Sequence, residues 1–330
     1  MSPNNAKIVF SGIRPTGSAH LGNYVGALRN WVKLQDEYRC IFSIVTWHAL
    51  SSDYENARGI KDNVFEVACD LLGLGLDPER CILFVQSDVK EHAELHLLLS
   101  MYTPLPWVER VPTFKEMQQE LADRDIYTYG FLGYPVLQTA DIILYKAEVV
   151  PVGEDQACHL ELAREITRRF NRMVGPIFPE PQILLTEVPR LAGTDGRKMS
   201  KSFGNAVYLK DPAETVRQKI STMTTDTRRK RRSDPGEPDD CPVFTLHRAF
   251  VDKATREHLA VECRRAGIGC LECKKVVIDS LETLLGPFRE KRARFENDPR
   301  RVWDILAAGG EKARAAARKT MEEVRAALGF

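Results

Sequence analysis

Short apolar runs that alternate with helical spacing constrain this chain more than any other feature. Ile8-Val9-Phe10, Cys40 to Val45, Cys81 to Val85 and Val149 to Val152 read as buried strands. Between them, Leu21, Val25, Leu28 and Val32 recur at spacings of three and four, as do Ile60, Val64, Val67 and Leu71. Leu95 to Leu99 and Glu161 to Phe170 read as further helices, the latter opened by Glu154 and Asp155. Strands buried on both faces and joined by helices form a parallel sheet with right-handed crossovers. The chain is therefore expected to be α/β, with a doubly wound parallel sheet over residues 1–205. Residues 103–129 interrupt the rhythm with charge and with Pro104, Pro106 and Pro112, and read as an insertion. Beyond residue 205 only helical patterns remain, so residues 206–330 are expected to form a separate α-helical domain.

Two glycine-punctuated stretches carry the chemistry. The first strand runs into Ser11-Gly12-Ile13-Arg14-Pro15-Thr16-Gly17, and the helix after it opens with His20-Leu21-Gly22-Asn23. Glycines let a backbone approach a ligand closely, and a helix N-terminus offers N–H donors to an anion. His20 and Asn23 can add side-chain hydrogen bonds, and Gly22 leaves room for a purine ring over the backbone. The second stretch is Gly196-Arg197-Lys198-Met199-Ser200-Lys201-Ser202, which presents two ammonium groups and two hydroxyls on a loop free to move. Such a pair suits a polyphosphate.

Bulk charge narrows the partners. Lys+Arg 47 against Asp+Glu 46 leaves a net charge of +1, which argues against a DNA-coating protein but leaves room for local RNA-binding patches. Arg228 to Arg232 is one such basic run, followed by an acidic, proline-bearing segment, Ser233 to Asp240, expected to be partly disordered. Met1 to Lys7 has no apolar signal segment and no apolar run reaches membrane-spanning length, so a soluble, cytoplasmic protein is expected, with no membrane partner.

Of the eight cysteines, Cys40, Cys69, Cys81 and Cys158 sit singly in apolar or helical surroundings and read as small hydrophobes. Cys241, Cys263, Cys270 and Cys273 are clustered, with 21, 6 and 2 residues between them, and point to a metal site. Structural zinc sites usually present two close pairs, and only Cys270 and Cys273 are close; four unevenly spaced thiolates also suit a cubane iron–sulfur cluster.

The two phosphate-reading stretches together resemble the signature pair of class I aminoacyl-tRNA synthetases. Ser11 to Gly17, Gly22-Asn23-Tyr24, Tyr134-Pro135, Ala140-Asp141-Ile142 and Val150 to Gln156 are similar to the tryptophanyl members. Many bacterial members have Thr-Ile-Gly-Asn where this chain has His20 to Asn23, and often Met at the place of Gln138. A Gln-x-x-Asp spacing recurs in the tyrosyl enzymes, which leaves a tyrosyl synthetase as an alternative. A non-catalytic RNA-binding paralogue is another, although a retired site has no need of both stretches.

The resemblance implies a Rossmann-like catalytic domain, a helical domain that binds the tRNA anticodon, and a homodimer for which residues 103–129 could supply the interface. It implies ligation of L-tryptophan to tRNA(Trp) through an aminoacyl-adenylate, with transfer to a terminal ribose 2′-OH. ATP is the co-substrate and Mg²⁺ accompanies it. Lys198 and Lys201 would stabilise the departing pyrophosphate, with His20 in the catalytic set. Arg14, Pro15, Thr16, His20, Gly22, Asn23, Lys115, Gly153, Glu154, Asp155, Leu191, Met199 and Ser200 would complete the ATP site. Asp141 would accept the indole N–H. Phe10, Ile142, Val150 and Val152 would form apolar walls, and His48, Tyr134, Gln138 and Gln156 the polar remainder. Some bacterial tryptophanyl enzymes carry a 4Fe–4S cluster on cysteines spaced almost as Cys241, Cys263, Cys270 and Cys273 are here, with one more residue in the first gap. The resemblance therefore favours 4Fe–4S, with Zn²⁺ as the alternative.

Overall fold

The structure is a computed structural model that describes residues 6–111, 128–153, 157–185 and 190–330. Five strands form one sheet: β1 (Ile8–Ile13), β2 (Arg39–Ile44), β3 (Cys81–Val85), β4 (Val149–Val152) and β5 (Gln182–Leu185). Their order is β3-β2-β1-β4-β5 and every pairing is parallel. Neighbouring strand residues point to opposite faces, so each strand feeds two cores. Val9, Phe42, Leu83 and Val149 join one, and Phe10, Ile41, Phe84 and Val150 the other. Burial on both faces is why these strands read as unbroken apolar runs, and it establishes the expected doubly wound α/β fold.

Helices cover both faces. After β1 come α1 (Leu21–Asn23), a π-helical turn (Tyr24–Leu28) and α2 (Arg29–Leu34), where the spacing suggested one regular helix. Next are α3 (Thr46–Ser52), α4 (Ile60–Leu74), α5 (Glu91–Tyr102), α6 (Leu105–Glu109), α7 (Tyr129–Leu132), α8 (Tyr134–Ile143) and α9 (Ala157–Met173). Past β5, every regular element among the described residues is a helix: α10 (Ala213–Thr222), α11 (Pro242–Phe250), α12 (Lys253–Arg264), α13 (Cys270–Glu296) and α14 (Pro299–Leu328). The last two return to the sheet. Residues of α13 share the first core, and Ala313, Ala317, Met321 and Val324 of α14 share the second. Gly309 lies so close to β3 that an added Cβ would stand 1.9 Å from the Leu83 carbonyl oxygen.

The segment 228–240 is knit into its surroundings, including Ser233 to Asp240, whose composition suggested partial disorder. The Gly236 N–H donates to the Cys263 carbonyl at 3.1 Å, and the Glu237 N–H to Asp226 Oδ2 at 2.8 Å. Arg228 pairs with Asp226 and Asp240, and Arg232 with Glu272. Those acids pair with two of the five basic side chains of the run. Cys40, Cys69 and Cys81 are buried as expected, whereas Cys158 is half-buried.

Candidate active site

Strand order reverses direction between β1 and β4, and a crevice opens outside their carboxyl ends, where doubly wound sheets bind ligands. A cavity of about 450 Å³ fills it. Phe10, His48, Tyr134, Gln138, Asp141, Ile142, Val150 and Val152 line it, which gathers all but one of the expected tryptophan-site residues. Arg14, Gly22, Asn23 and Gly153 line the same cavity from the expected nucleotide side. Lys115, Glu154, Asp155 and Gln156 lie outside the described residues.

Asp141 sits at the cavity wall with 1% of its surface exposed. A carboxylate can accept about four hydrogen bonds, and four converge here. His48 Nε2 approaches Oδ2 at 2.7 Å and His92 Nδ1 approaches Oδ1 at 2.6 Å, while Gln86 Nε2 lies 2.8 Å from each oxygen. The carboxylate only accepts, so both imidazoles place their proton toward it. His92 Nε2 then accepts from the Tyr145 hydroxyl at 2.7 Å. Burial alone would raise the Asp141 carboxyl, but His92 and His48 hold it far below the usual carboxylate range. The result is a fixed negative charge at the end of the cavity that Phe10, Ile142, Val150 and Val152 also line. Two turns before Asp141 on the same helix, the Tyr134 hydroxyl meets His159 Nε2 at 2.6 Å.

At the nucleotide side, His20 caps α1. Its N–H donates to Asn23 Oδ1 at 3.1 Å and its Nδ1 accepts the Asn23 N–H at 3.3 Å. Burial, aided by the Lys201 ammonium, lowers the His20 pKa to about 4. The ring is therefore neutral, with its proton on Nε2 as a donor. Gly22 lines the cavity, and it also makes room for the His20 ring, which would lie 2.8 Å from an added Cβ.

The lysine loop folds back on this turn. The Met199 N–H donates to the Leu191 carbonyl at 2.9 Å, and both side chains are buried in the core, so they anchor the loop. Gly196 turns it with φ +86, a conformation few other residues adopt. Lys198 is exposed at its edge. Lys201 instead reaches the first stretch: its Nζ donates to the Gly17 carbonyl at 2.8 Å and to Thr16 O and Oγ1 at 3.2 and 3.3 Å. Burial lowers its pKa to about 8, with Asp70 opposing and Arg14 assisting the shift. Pro15, between Arg14 and Thr16, is buried. Ser200 Oγ and Ser202 Oγ share a hydrogen bond of 2.8 Å.

Sequence reasoning missed the residues that hold these groups. Gln86 and His92 orient Asp141. Asn205 holds the lysine loop, accepting from the Ser200 N–H at 2.8 Å and donating to Asp195 at 2.7 Å and to the Lys198 carbonyl at 3.1 Å. Gly193 makes room for it, since a Cβ there would lie 2.3 Å from the Asn205 amide. The only sequence signal was an unexplained glycine beside the lysine loop.

The four clustered cysteines lie on three helices and are each half-buried: Cys241 caps α11, Cys263 ends α12, and Cys270 and Cys273 open α13. They lie near enough to influence one another electrostatically. Burial, reinforced by the other three thiols, pushes Cys273 up to about 12. Cys273 Sγ lies 3.2 Å from His247 Nε2, and Cys263 Sγ lies 3.9 Å from the Arg229 guanidinium. Among the described residues, no group of three or more His, Cys, Asp or Glu side chains stands close enough to hold a metal ion. Arg229 Nε and His247 Nδ1, both beside the thiols, are buried with no hydrogen-bond partner. No helix among the described residues is long and apolar enough to cross a membrane.

Comparison with known proteins agrees with this geometry. A family model described as tRNA synthetases class I (W and Y) matches residues 2–286. A tryptophan–tRNA ligase of Thermotoga maritima is 49% identical over 97% of this chain and 98% of its own length. One of Aquifex aeolicus is 43% identical over 97% and 99%. The crystal structure of a Campylobacter jejuni tryptophanyl-tRNA synthetase complexed with ADP and tryptophan superimposes with a TM-score of 0.86 at 32% identity, covering 98% of this chain and 100% of that one. A tyrosyl-tRNA synthetase of Archaeoglobus fulgidus shares the fold, at 23% identity and a TM-score of 0.67. With its model matched over most of the length and relatives this similar from end to end, the chain belongs to the class I tRNA synthetases of the tryptophan and tyrosine group.

Proposed function

We infer that the chain is a tryptophan–tRNA ligase whose substrate pocket is the cavity between β1 and β4. The observation that carries the pocket assignment is Asp141, a buried carboxylate held ionised beside the apolar walls of the cavity, since the indole N–H is a donor only. Its four hydrogen-bonding positions are already taken, so an arriving indole N–H replaces one donor. His48 lines the cavity, whereas Gln86 and His92 lie behind it, so His48 is the one that yields. Phe10, Ile142, Val150 and Val152 hold the ring. Tyr134, Gln138 and Gln156 receive the ammonium group.

In the first step, a tryptophan carboxylate oxygen attacks the α-phosphorus of ATP. The new O–P bond forms as the bond to pyrophosphate breaks, giving tryptophanyl-adenylate. In the second, the 2′-OH of the terminal tRNA ribose attacks the aminoacyl carbonyl and AMP leaves. Neither step needs a side-chain nucleophile, so the chain contributes positioning and charge. Arg14, Pro15, Thr16, Gly22 and Gly153 shape the ATP site, and neutral His20 and Asn23 donate to its phosphates. Glu154 and Asp155 take the ribose hydroxyls, Leu191 meets adenine, and Lys115 reaches the phosphates. Lys198 and Lys201, with Met199 as the loop's anchor and Ser200 beside it, stabilise pyrophosphate as it gains charge. Lys201 exchanges the Thr16 and Gly17 carbonyls for phosphate oxygens. Mg²⁺ enters with ATP, held by the phosphates.

Residues 1–205 are the catalytic domain and 206–330 the anticodon-binding domain in this reading, working in the cytoplasm on tRNA(Trp). A homodimer would bury the apolar Met101 and Leu105, which are exposed just before and within the 103–129 insertion. Cys241, Cys263, Cys270 and Cys273 would hold a 4Fe–4S cluster. Structural zinc usually takes two close pairs of ligands, and only Cys270 and Cys273 are close in sequence, so the uneven spacing favours a cubane over one zinc ion. The nearby Arg229 guanidinium and its orphaned Nε suit an anionic cluster. When bound, the cluster supplies structure, tying α11, α12 and α13 together near the basic loop.

The test is ATP–pyrophosphate exchange across the twenty amino acids. Tryptophan alone should support it; exchange driven by tyrosine, or by none, would contradict the reading.

A further inference from the structure

Behind the nucleotide loop, a buried charge cluster joins α4 to α13, and no step above uses it. Asp70 on α4 has no exposed surface and Arg292 on α13 keeps 3%. Arg292 Nε donates to Asp70 Oδ1 at 2.7 Å, and its Nη2 donates to Glu66 Oε2 at 2.6 Å. The other Asp70 oxygen accepts the main-chain N–H of Ala19 at 2.6 Å, and Ser18 Oγ donates to Glu66 Oε2 at 2.7 Å. The two residues just ahead of His20 therefore hang on carboxylates that one guanidinium orients. From the other side, the Ala19 carbonyl accepts the Leu209 N–H and the Leu21 N–H donates to the Val207 carbonyl, both at 2.9 Å.

The helix crossing leaves little slack. A Cβ on Gly73 would lie 3.0 Å from the Arg292 Cβ and 3.1 Å from the Phe288 ring. The same 27-residue helix opens with Cys270 and Cys273, roughly 40 Å from its far end. Lys274 near its start donates to the Ser221 and Met223 carbonyls at 2.7 and 2.6 Å. Two well-packed apolar side chains can stabilise a core as well as a buried ion pair does. What they cannot supply is a fixed acceptor for one main-chain N–H.

We propose that Asp70 and Arg292 are positioning residues for the ATP step. Arg292 orients the Asp70 carboxylate, the carboxylate fixes the Ala19 N–H, and that bond sets the His20–Asn23 turn against the nucleotide. Helix α13 thereby links the cysteine-bearing end of the helical region to the nucleotide loop. The proposal rests on the reading of residues 14–23 as the ATP site.

The D70L/R292M double variant separates positioning from stability, because it removes the buried pair together; Glu66 keeps Lys210, and Glu296, which also pairs with Arg292, is half-exposed. It should fold with a Tm near that of the parent. Its kcat/KM for ATP in tryptophan-dependent exchange should fall about 10- to 100-fold, as expected for a misplaced binding group, with KM for tryptophan unchanged. The D70N/R292Q variant keeps an acceptor for the Ala19 N–H and should recover most of that loss. Parental kcat/KM for ATP in D70L/R292M, or equal losses toward both substrates, overturns the proposal. His20→Ala is the control. If it too leaves the ATP step untouched, the reading of the loop has failed; if it alone impairs that step, only the role of Asp70 and Arg292 has. Should D70L/R292M not fold, hydrogen exchange of the unaltered protein decides. The Ala19 amide should stay protected for minutes, and exchange within seconds overturns the proposal.

Discussion

Asp141→Asn should cost this enzyme tryptophan affinity while leaving it folded, and the size of both effects follows from the groups around the carboxylate. Truncation to alanine is the wrong perturbation. It would orphan three buried donors, on His48, His92 and Gln86. At about 1–3 kcal/mol each, the loss of roughly 3–9 kcal/mol rivals the 5–15 kcal/mol that holds a typical protein together. Asparagine keeps one accepting oxygen. With that oxygen turned to His92, its NH₂ faces His48, so one donor loses its partner and stability falls by about 1–3 kcal/mol. The indole N–H loses a charged acceptor worth about 1.5–3 kcal/mol, which raises KM for tryptophan roughly 10- to 150-fold. The assay is ATP–pyrophosphate exchange with tryptophan and with the analogue whose indole N–H is replaced by sulfur. The unaltered enzyme should prefer tryptophan strongly, and Asp141→Asn should lose most of that preference. If the variant weakens both substrates equally, Asp141 supports the pocket without reading the N–H.

Lys198→Ala should lower kcat for exchange about 10²- to 10³-fold, as removal of a transition-state donor does, with little change in KM for ATP; loss of ATP affinity alone would refute the assignment. Lys201 must be protonated to meet phosphate, and its pKa in the free enzyme is lowered to about 8, so kcat/KM for ATP should decline above that pH and Lys201→Arg should move the decline upward. Stability runs the other way: the unfolded chain keeps this proton up to about 10.5, so folding gains as pH rises from about 8 to 10.5, which urea titrations can follow. Arg292→Met alone strands the Asp70 charge and should cost about 3–5 kcal/mol in urea unfolding. Protein purified anaerobically should be brown with about four irons per chain, and cluster loss should weaken tRNA charging but spare exchange; colourless protein with one zinc would refute the iron–sulfur reading.

The four strands legible in the sequence are those buried on both faces. β5 escaped because it is short, partly exposed and follows Pro176, Pro179 and Pro181, so it never forms a continuous apolar run. The substrate-facing half of the site was legible because its residues fall in local motifs: Arg14 to Asn23, Tyr134 to Ile142 and Val150 to Gly153 meet in one cavity. What orients them was not. Gln86 and His92 reach Asp141 from 55 and 49 residues away, and Arg292 reaches Asp70 from 222. Nothing local distinguishes such a side chain from a solvated one. Gly22 carries a second reason that its motif did not disclose, since a Cβ there would meet the neighbouring imidazole.

The most direct test is a crystal structure of this chain with tryptophan and a non-hydrolysable ATP analogue. The account places the indole nitrogen within about 3.2 Å of Asp141 Oδ2, in the position His48 Nε2 occupies at 2.7 Å without substrate, with the nucleotide phosphates between His20 and the lysine loop. An indole bound with its nitrogen on another group, and His48 still seated on Asp141, would contradict it.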